Sequence, residues 1–477
     1  MNHTKRIYMI GICGVAMGTL AGMLKERGFS VRGSDTKIYP PMSDMLSKWG
    51  IECFDGFDAS RIAQDDLVII GNAISRGNVE AEKVLSGRIE YLSMTEALYR
   101  FFLHDKEVIA VCGTHGKTTT TALLSHILRT AGEDPSCFVG GVMKNYDSNF
   151  FLGSGKYFVI EGDEYDSAFF EKTPKFIRYR PSHLVLTALE FDHADIYGSL
   201  DEIVVWFARV VNMIPSNGRI IWNRAYPALA TAVAKSFSLT SDFGNGSRWG
   251  WRFDSFDDAY DRITITDSTR PDFALEVKTL LSGEFNYANI CSAAAMALEL
   301  GIDEQSVRKG IETFEGVKRR QELIFSSETV KVYEDFAHHP TAIAGVLAMM
   351  RRKFAGRRII GLFEPRSATA RRNVFQDSLP GAFRDADLAI LKTPYMLEKI
   401  PADRRLDISK VEAEIRRGGR DVYVSESVAD IAERICATVA DGKPSVVVIM
   451  SNGGFEGIYD LLKAKLSAGG SAQGSAK

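Results

Sequence analysis

The chain has 477 residues, of which 45% are hydrophobic and 25% charged, an ordinary globular balance that excludes a disordered, collagen-like or disulfide-scaffold protein. A single core stops growing at about 250–300 residues, so about three domains are expected. Lys+Arg number 58 against 61 Asp+Glu, a net charge of −3, so no global basic field draws in nucleic acid or anionic lipid, and any phosphate must be held locally.

The opening MNHTKRIYMIGICG contains an apolar run too short to span a membrane, and it leads into a glycine turn, not a small-residue cleavage site. A secretory leader is therefore rejected. A cytoplasmic protein without membrane or nucleic-acid partners is expected. Short apolar runs recur at Arg6–Gly11, Asp66–Gly71, Glu107–Cys112, Tyr157–Ile160, His183–Leu189, Val330–Glu334, Arg358–Phe363, Leu388–Leu391 and Ser445–Met450. Runs this short suit parallel strands buried on both faces. Stretches of helical spacing lie between them, such as Ala16–Arg27, Thr119–Ala131 and Asn286–Leu300. The alternation predicts doubly wound α/β domains. The polar, aromatic region Phe237–Lys278, with its Ile263-Thr264-Ile265-Thr266 alternation, predicts antiparallel hairpins attached to the middle domain. Boundaries near Tyr99–Lys106 and Lys318–Glu322 give domains at 1–104, 105–319 and 320–466, and the small-residue tail 467–477 is expected to be disordered. Cys13, Cys53, Cys112, Cys137, Cys291 and Cys436 form no CxxC pair and read as free core thiols of a reducing compartment.

The most specific motif is Gly113-Thr114-His115-Gly116-Lys117-Thr118-Thr119, between a strand and a helix, the context of a P-loop. Glycines admit phosphate close to the backbone, Lys117 would reach the phosphates and Thr118 would hold Mg²⁺. The loop is a shortened variant, because Val111 stands where the leading Gly usually falls. Gly11, Cys13, Gly14 and Gly18 form a second glycine turn at a helix start, with Asp35 at the end of the next strand. Its spacing is not the dinucleotide fingerprint, yet it suits a diphosphate and a ribose hydroxyl. Two acidic motifs follow strands: Glu161-Gly162-Asp163-Glu164-Tyr165-Asp166 and Glu190-Phe191-Asp192-His193-Ala194-Asp195. Together they offer oxygen and nitrogen ligands for a metal. Asp335-Phe336-Ala337-His338-His339, the basic Lys318-Arg319-Arg320, Glu364-Pro365-Arg366-Ser367 and Ser451-Asn452-Gly453-Gly454-Phe455 complete a series at strand ends.

The order of these motifs resembles the Mur ligase family, ATP-dependent amide ligases of bacterial cell-wall synthesis, over nearly the whole chain. GICG, Tyr39-Pro40-Pro41-Met42-Ser43, Gly71-Asn72-Ala73, EYDSAFFEK, EFDHADIY, DFAHHPTAI, EPRS and MSNGGF are similar to the branch that returns a wall tripeptide to UDP-N-acetylmuramate. The resemblance implies a Rossmann-like N-terminal domain, a central P-loop ATPase domain with an added small β region and a Rossmann-like C-terminal domain. It implies a ligase that uses ATP and Mg²⁺ to join L-alanyl-γ-D-glutamyl-meso-diaminopimelate to UDP-N-acetylmuramate in peptidoglycan recycling. The alternative is the L-alanine ligase of de novo synthesis. A monomer or weak dimer is expected.

By motif, the resemblance places Gly11, Cys13, Gly14, Gly18, Asp35 and Asn72 at the UDP-sugar. Gly113, Thr114, His115, Gly116, Lys117, Thr118 and Thr119 go to ATP, joined by Asn286 and Asn289 at the adenine and by Arg320 and Asp335 from the third domain. Thr118, Glu161, Glu164 and His193 are the implied metal ligands, with Lys117, Glu161 and His193 catalytic. Arg366, Ser451, Asn452 and Phe455 would meet the amine substrate. Two departures stand out: Phe285 replaces the family His before the adenine motif, and Trp206-Phe207-Ala208-Arg209 lacks the Lys that some members carbamylate.

Overall fold

The structure is a computed structural model that describes residues 6–36, 38, 42–257 and 259–473. Tyr39, Pro40 and Pro41, which contributed to the resemblance, lie outside the described residues, as do 474–477. Contacts divide the chain into two compact units. The first comprises 1–191, 199–281 and 287–316, and the second 192–198, 282–286 and 317–477. The short segments 192–198 and 282–286 fall inside the middle domain expected from sequence but group with the second unit.

The first unit carries two sheets. Strands β1 (Arg6–Ile10), β2 (Ser30–Asp35), β3 (Glu52–Asp55), β4 (Leu67–Ile70) and β5 (Tyr91–Ser93) form a parallel sheet ordered β3-β2-β1-β4-β5. Leu67, Val68, Ile69 and Ile70 are all fully buried, as expected of a strand covered on both faces. The second sheet has ten strands: β6 (Glu107–Cys112), β7 (Ser136–Met143), β8 (Ser148–Phe151), β9 (Tyr157–Gly162), and then β12 (His183–Leu186), β13 (Arg219–Asn223), β14 (Leu239–Phe243), β15 (Trp249–Phe256), β16 (Asp261–Asp267) and β17 (Arg270–Thr279). Its order is β17-β16-β15-β14-β13-β12-β6-β9-β7-β8, and the small pair β10 (Asp166–Ala168) and β11 (Glu171–Pro174) stands apart. The neighbours β15, β16 and β17 are the expected antiparallel hairpins. Along β17, exposed and buried residues alternate from Phe273 to Thr279, the period of a strand with one wet face.

In the second unit, β18 (Glu322–Ser326), β19 (Val330–Asp335), β20 (Arg358–Phe363), β21 (Leu388–Lys392), β22 (Asp421–Ser425) and β23 (Ser445–Met450) form a sheet ordered β18-β19-β23-β20-β21-β22, parallel except at β18. One face packs Ile343, Leu347, Phe383 and Val411, the other Ile431, Ile435, Ile458 and Leu462. The chain passes from β19 to β20 and later returns to place β23 between them, so the ends of these three strands lie side by side at a switch point of the kind where α/β sheets bind ligands. The tail departs from expectation: the last helix is continuous from Ile458 to Gln473, since each added residue of an established helix gains a hydrogen bond.

Candidate functional site

The turn after β6 is built by close backbone approach. Gly113 has φ +137, and a Cβ there would sit 2.6 Å from the Ala188 carbonyl oxygen. Thr114 N–H donates to that same oxygen at 3.0 Å, and its hydroxyl donates to Glu190 O at 3.1 Å. Thr187 donates its hydroxyl to the His115 carbonyl, and Asn223 donates to Thr187 O at 2.9 Å. His115 Nε2 meets Glu190 Oε2 at 2.8 Å. The turn is thus clamped onto the segment after β12. Gly116 (φ +82) is the N-cap of the helix Lys117–Thr130, which has no side-chain cap, so its N-terminal dipole is left to an anion. Asn289 lies against this glycine: a Cβ on Gly116 would strike its Oδ1.

Lys117 and the acidic motif come together as the sequence implied. Lys117 Nζ donates to Gly113 O at 2.6 Å and to Glu164 Oε2 at 2.9 Å. Burial works against the ammonium, but Glu164, Asp163 and Glu161 outweigh it and raise its pKa, so Lys117 stays cationic. Thr118 donates to Glu161 Oε1 at 3.1 Å, and Gly140 N–H donates to the other oxygen at 2.8 Å. The register explains this proximity, since β9 pairs with β6 and sets Glu161 beside Val111. A hydroxyl and carboxylates are hard oxygen donors, and this set fits Mg²⁺. His193 belongs to the second unit. It adopts φ +55, and its N–H donates to Asp192 Oδ1 at 2.7 Å. Burial alone would raise the Asp192 carboxyl, but His193, His338 and a hydrogen bond with Thr369 hold it well below the usual range.

The first glycine turn contains no cation. Gly11 (φ +83) and Gly14 sit at the turn and at the start of the helix Val15–Glu26, again without a side-chain cap. Asp35 accepts from Cys13 N–H at 3.0 Å and so braces the turn itself. Asn72 is half-buried just beyond β4. Gly18 has a different job: a Cβ there would come 2.6 Å from Met42 Cγ, so it is a packing glycine inside the fold.

In the second unit, Asp335 is buried and accepts from Gln321 N–H at 2.9 Å and Ala337 N–H at 2.7 Å. Burial raises its carboxyl pKa despite Arg320 nearby. Arg320 lies over the Phe336 ring. His339 is a helix cap, its Nδ1 accepting from Thr341 N–H at 3.2 Å. Asn286 donates to Ser282 O at 3.0 Å. Phe285 packs over the helix Pro340–Lys353, where a Cβ on Gly345 would lie 3.2 Å from its ring.

The loops after β20, β21 and β23 meet. Arg366 stacks its guanidinium 4.2 Å from the Tyr395 ring centroid and reaches Glu364 at 3.4 Å. Ser451 donates to Glu364 at 2.7 Å, and Gly453 N–H donates to the Ser451 hydroxyl at 3.0 Å. Asn452 has a buried Oδ1 without a hydrogen-bond partner among the described residues. Phe455 corrects an expectation: it is fully buried in the apolar core with Ile431, Ile435 and Ile458, leaving no surface for a substrate. Tyr395, Thr187 and Gly140 were not foreseen. Thr187 and Tyr395 follow strand ends, which is all that distinguishes them in sequence, and Gly140 lies inside β7.

Three family models match in succession: "Mur ligase family, catalytic domain" over 6–106, "Mur ligase middle domain" over 111–297 and "Mur ligase, glutamate ligase domain" over 319–453. The chain is 39% identical over 460 residues to the UDP-N-acetylmuramate–L-alanyl-γ-D-glutamyl-meso-2,6-diaminoheptandioate ligase of Escherichia coli K12, covering 96% of this chain and 97% of that protein. A UDP-N-acetylmuramate–L-alanine ligase of Desulforapulum autotrophicum is 31% identical over 403 residues, covering 83% and 85%. Among solved structures, a murein peptide ligase from Psychrobacter arcticus 273-4 aligns with TM-score 0.72 and 36% identity over 98% of this chain and 99% of that one.

Proposed function

The chain belongs to the Mur ligase family of carbon–nitrogen ligases, and we propose that it joins the tripeptide L-alanyl-γ-D-glutamyl-meso-diaminopimelate to UDP-N-acetylmuramate at the expense of ATP, as a cytoplasmic step of peptidoglycan recycling. One observation carries the chemistry. Lys117 is fixed between Gly113 O and Glu164 at a bare helix N-terminus, a cation of the kind that stabilises the charge developing on a transferring phosphoryl group. The relatives named above carry the choice of substrates.

In this reading the lactoyl carboxylate of the sugar nucleotide attacks the γ-phosphate of ATP and forms an acyl phosphate. The α-amine of the tripeptide then attacks the acyl carbon, and the tetrahedral intermediate expels phosphate. Gly113 to Thr119 cradle the ATP phosphates, with Asn289 against the turn. Thr118, Glu161 and Glu164 would hold Mg²⁺, which would supply charge neutralisation on the phosphate oxygens. Gly11, Cys13, Gly14, Asp35 and Asn72 serve the UDP-sugar. Arg366, flattened on Tyr395, pairs bidentately with one peptide carboxylate, flanked by Ser451 and Asn452. Arg366→Lys is expected to raise the tripeptide KM about tenfold, because a point charge replaces a fork.

The deciding experiment is phosphate release with UDP-N-acetylmuramate, ATP and either tripeptide or L-alanine. Release should require all three substrates and strongly favour the tripeptide. L-alanine as the better amine would replace this reading with the de novo ligase.

A further inference from the structure

Two thiols stand within reach of each other, and neither sulfur takes a chemical step in the reaction above, although the Cys13 backbone belongs to the turn assigned to the sugar nucleotide. Cys13 lies in the first glycine turn and Cys53 in β3, both half-buried, with their Sγ atoms 3.3 Å apart. Forty residues of chain separate them, and β2 runs between their strands. Gly33 of β2 makes the approach possible. It pairs with Met9 on one side and with Cys53 on the other, and a Cβ there would press 3.0 Å from Ile12 Cβ. Without that side chain the turn settles over β2, and Cys13 reaches the next strand. Gly11 N–H and Ile12 N–H hold it there on the Ser34 carbonyl at 2.8 and 3.2 Å. Cys112, Cys137 and Cys291 are buried and closed to a dissolved oxidant.

We propose that Cys13 and Cys53 are a modification site: they form a reversible disulfide by exchange with a low-molecular-weight disulfide such as glutathione disulfide, and the bond disables the turn. The first half stands alone, whereas the second rests on the sugar-nucleotide role proposed for that turn. One protein thiolate attacks a sulfur of glutathione disulfide and releases one glutathione, which takes up the proton the protein thiol lost. The second protein thiolate attacks the mixed disulfide at the protein sulfur and releases the other glutathione. Two thiols become one disulfide, and one glutathione disulfide becomes two thiols. A disulfide needs about 2.05 Å between sulfurs, so they must close by about 1.2 Å. β3 is held by its ladder to β2, so the movement falls on the turn and pulls it toward β3. A misplacement of about 1 Å can cost on the order of 10²-fold in a reaction rate, where geometry is most exacting, and a binding equilibrium loses less, about tenfold here. Burial, with Asp35 close by, pushes both thiols up, so exchange should quicken as pH rises.

The test treats the full-length protein with glutathione disulfide at mildly alkaline pH, blocks remaining thiols, maps the peptides by mass spectrometry and titrates UDP-N-acetylmuramate calorimetrically. The expected result is a linked Cys13–Cys53 peptide and sugar-nucleotide affinity about tenfold weaker. Dithiothreitol should reverse both, and Cys53→Ser should abolish both while binding normally when reduced. Glutathione carried on Cys436 with no linked peptide would overturn the proposal. A linked peptide with unchanged affinity would overturn its second half. A linked peptide in a protein whose reduced form binds no sugar nucleotide would instead sink the assignment of the turn and leave the disulfide standing.

Discussion

Two strand–turn–helix segments of the first unit look alike in sequence and differ in what they hold. Gly11–Gly14 follows β1 and opens Val15–Glu26, and Gly113–Gly116 follows β6 and opens Lys117–Thr130. Neither helix has a side-chain cap, so both offer an N-terminal dipole to an anion. The first turn adds no cation, and its nearby acid, Asp35, is spent on the turn's own Cys13 amide. The second adds Lys117, tied to Glu164, and Thr118, tied to Glu161. An unadorned glycine turn can hold a diphosphate. A glycine turn with a fixed cation and carboxylates can also stabilise a phosphoryl group in transfer.

Lys117→Ala tests this contrast most severely. Losing such a cation costs on the order of 10²–10³ in rate, so tripeptide-dependent phosphate release should fall at least that far, while sugar-nucleotide affinity at the other turn stays put. Circular dichroism checks that the fold survives without the Lys117–Glu164 pair. Near-normal turnover would erase the distinction between the turns.

The second turn also differs in what backs its helix. His126, on that helix, is buried, with Nδ1 2.6 Å from the Tyr146 hydroxyl and Nε2 2.9 Å from that of Thr313. Burial, aided by Arg129, lowers its pKa from 6.5 to about 4. The unfolded chain therefore takes up a proton first as pH falls. The stabilising contribution is complete above pH 6.5 and is lost progressively as pH drops toward 4, on the order of 3 kcal/mol in all. Melting temperatures followed from pH 7 to 4 should fall less steeply in His126→Gln than in the parent. Equal slopes would show that His126 titrates normally.

Much of this contrast was legible in the sequence, and the reasons are physical. Parallel strands buried on both faces leave continuous apolar runs, so Glu107–Cys112, Arg358–Phe363 and Ser445–Met450 were bounded correctly. Glycine with a basic residue between strand and helix has few other uses, so Lys117 stood out in the sequence. Spacing could not tell a glycine that admits a ligand from one that admits a neighbouring helix, and Gly18 packs on Met42. It could not show that Phe455 turns into the core, because two consecutive left-handed residues, Phe455 and Glu456, redirect the chain there. The proximity of Cys13 to Cys53 depends on strand order, which a local pattern does not carry.

Gly116→Ala should have a smaller effect than loss of Lys117. At φ +82 an L side chain costs about 1–2 kcal/mol, and the new methyl would strike Asn289. Lower thermal stability together with a raised KM for ATP is expected. A stable variant with unchanged ATP kinetics would show that the close approach at this glycine serves neither fold nor ligand.

Gly14→Ala is the mildest and the most discriminating change. Gly14 has an ordinary φ of −64, and the nearest atom to an added Cβ is Gly11 O at 3.8 Å, so the fold has room for a methyl. Its cost to the helix start is below about 1 kcal/mol, since alanine is a poorer N-cap than glycine. A diphosphate lying on this turn has no such room. The KM for UDP-N-acetylmuramate should rise several-fold, with the KM for ATP and the melting temperature nearly unchanged. Gly18→Ala should do the reverse, lowering stability through Met42 without a selective effect on the sugar nucleotide. If both variants shift ATP and sugar nucleotide together, the two turns do not divide the ligands between them, because a methyl on a turn that meets only one ligand acts on that ligand alone.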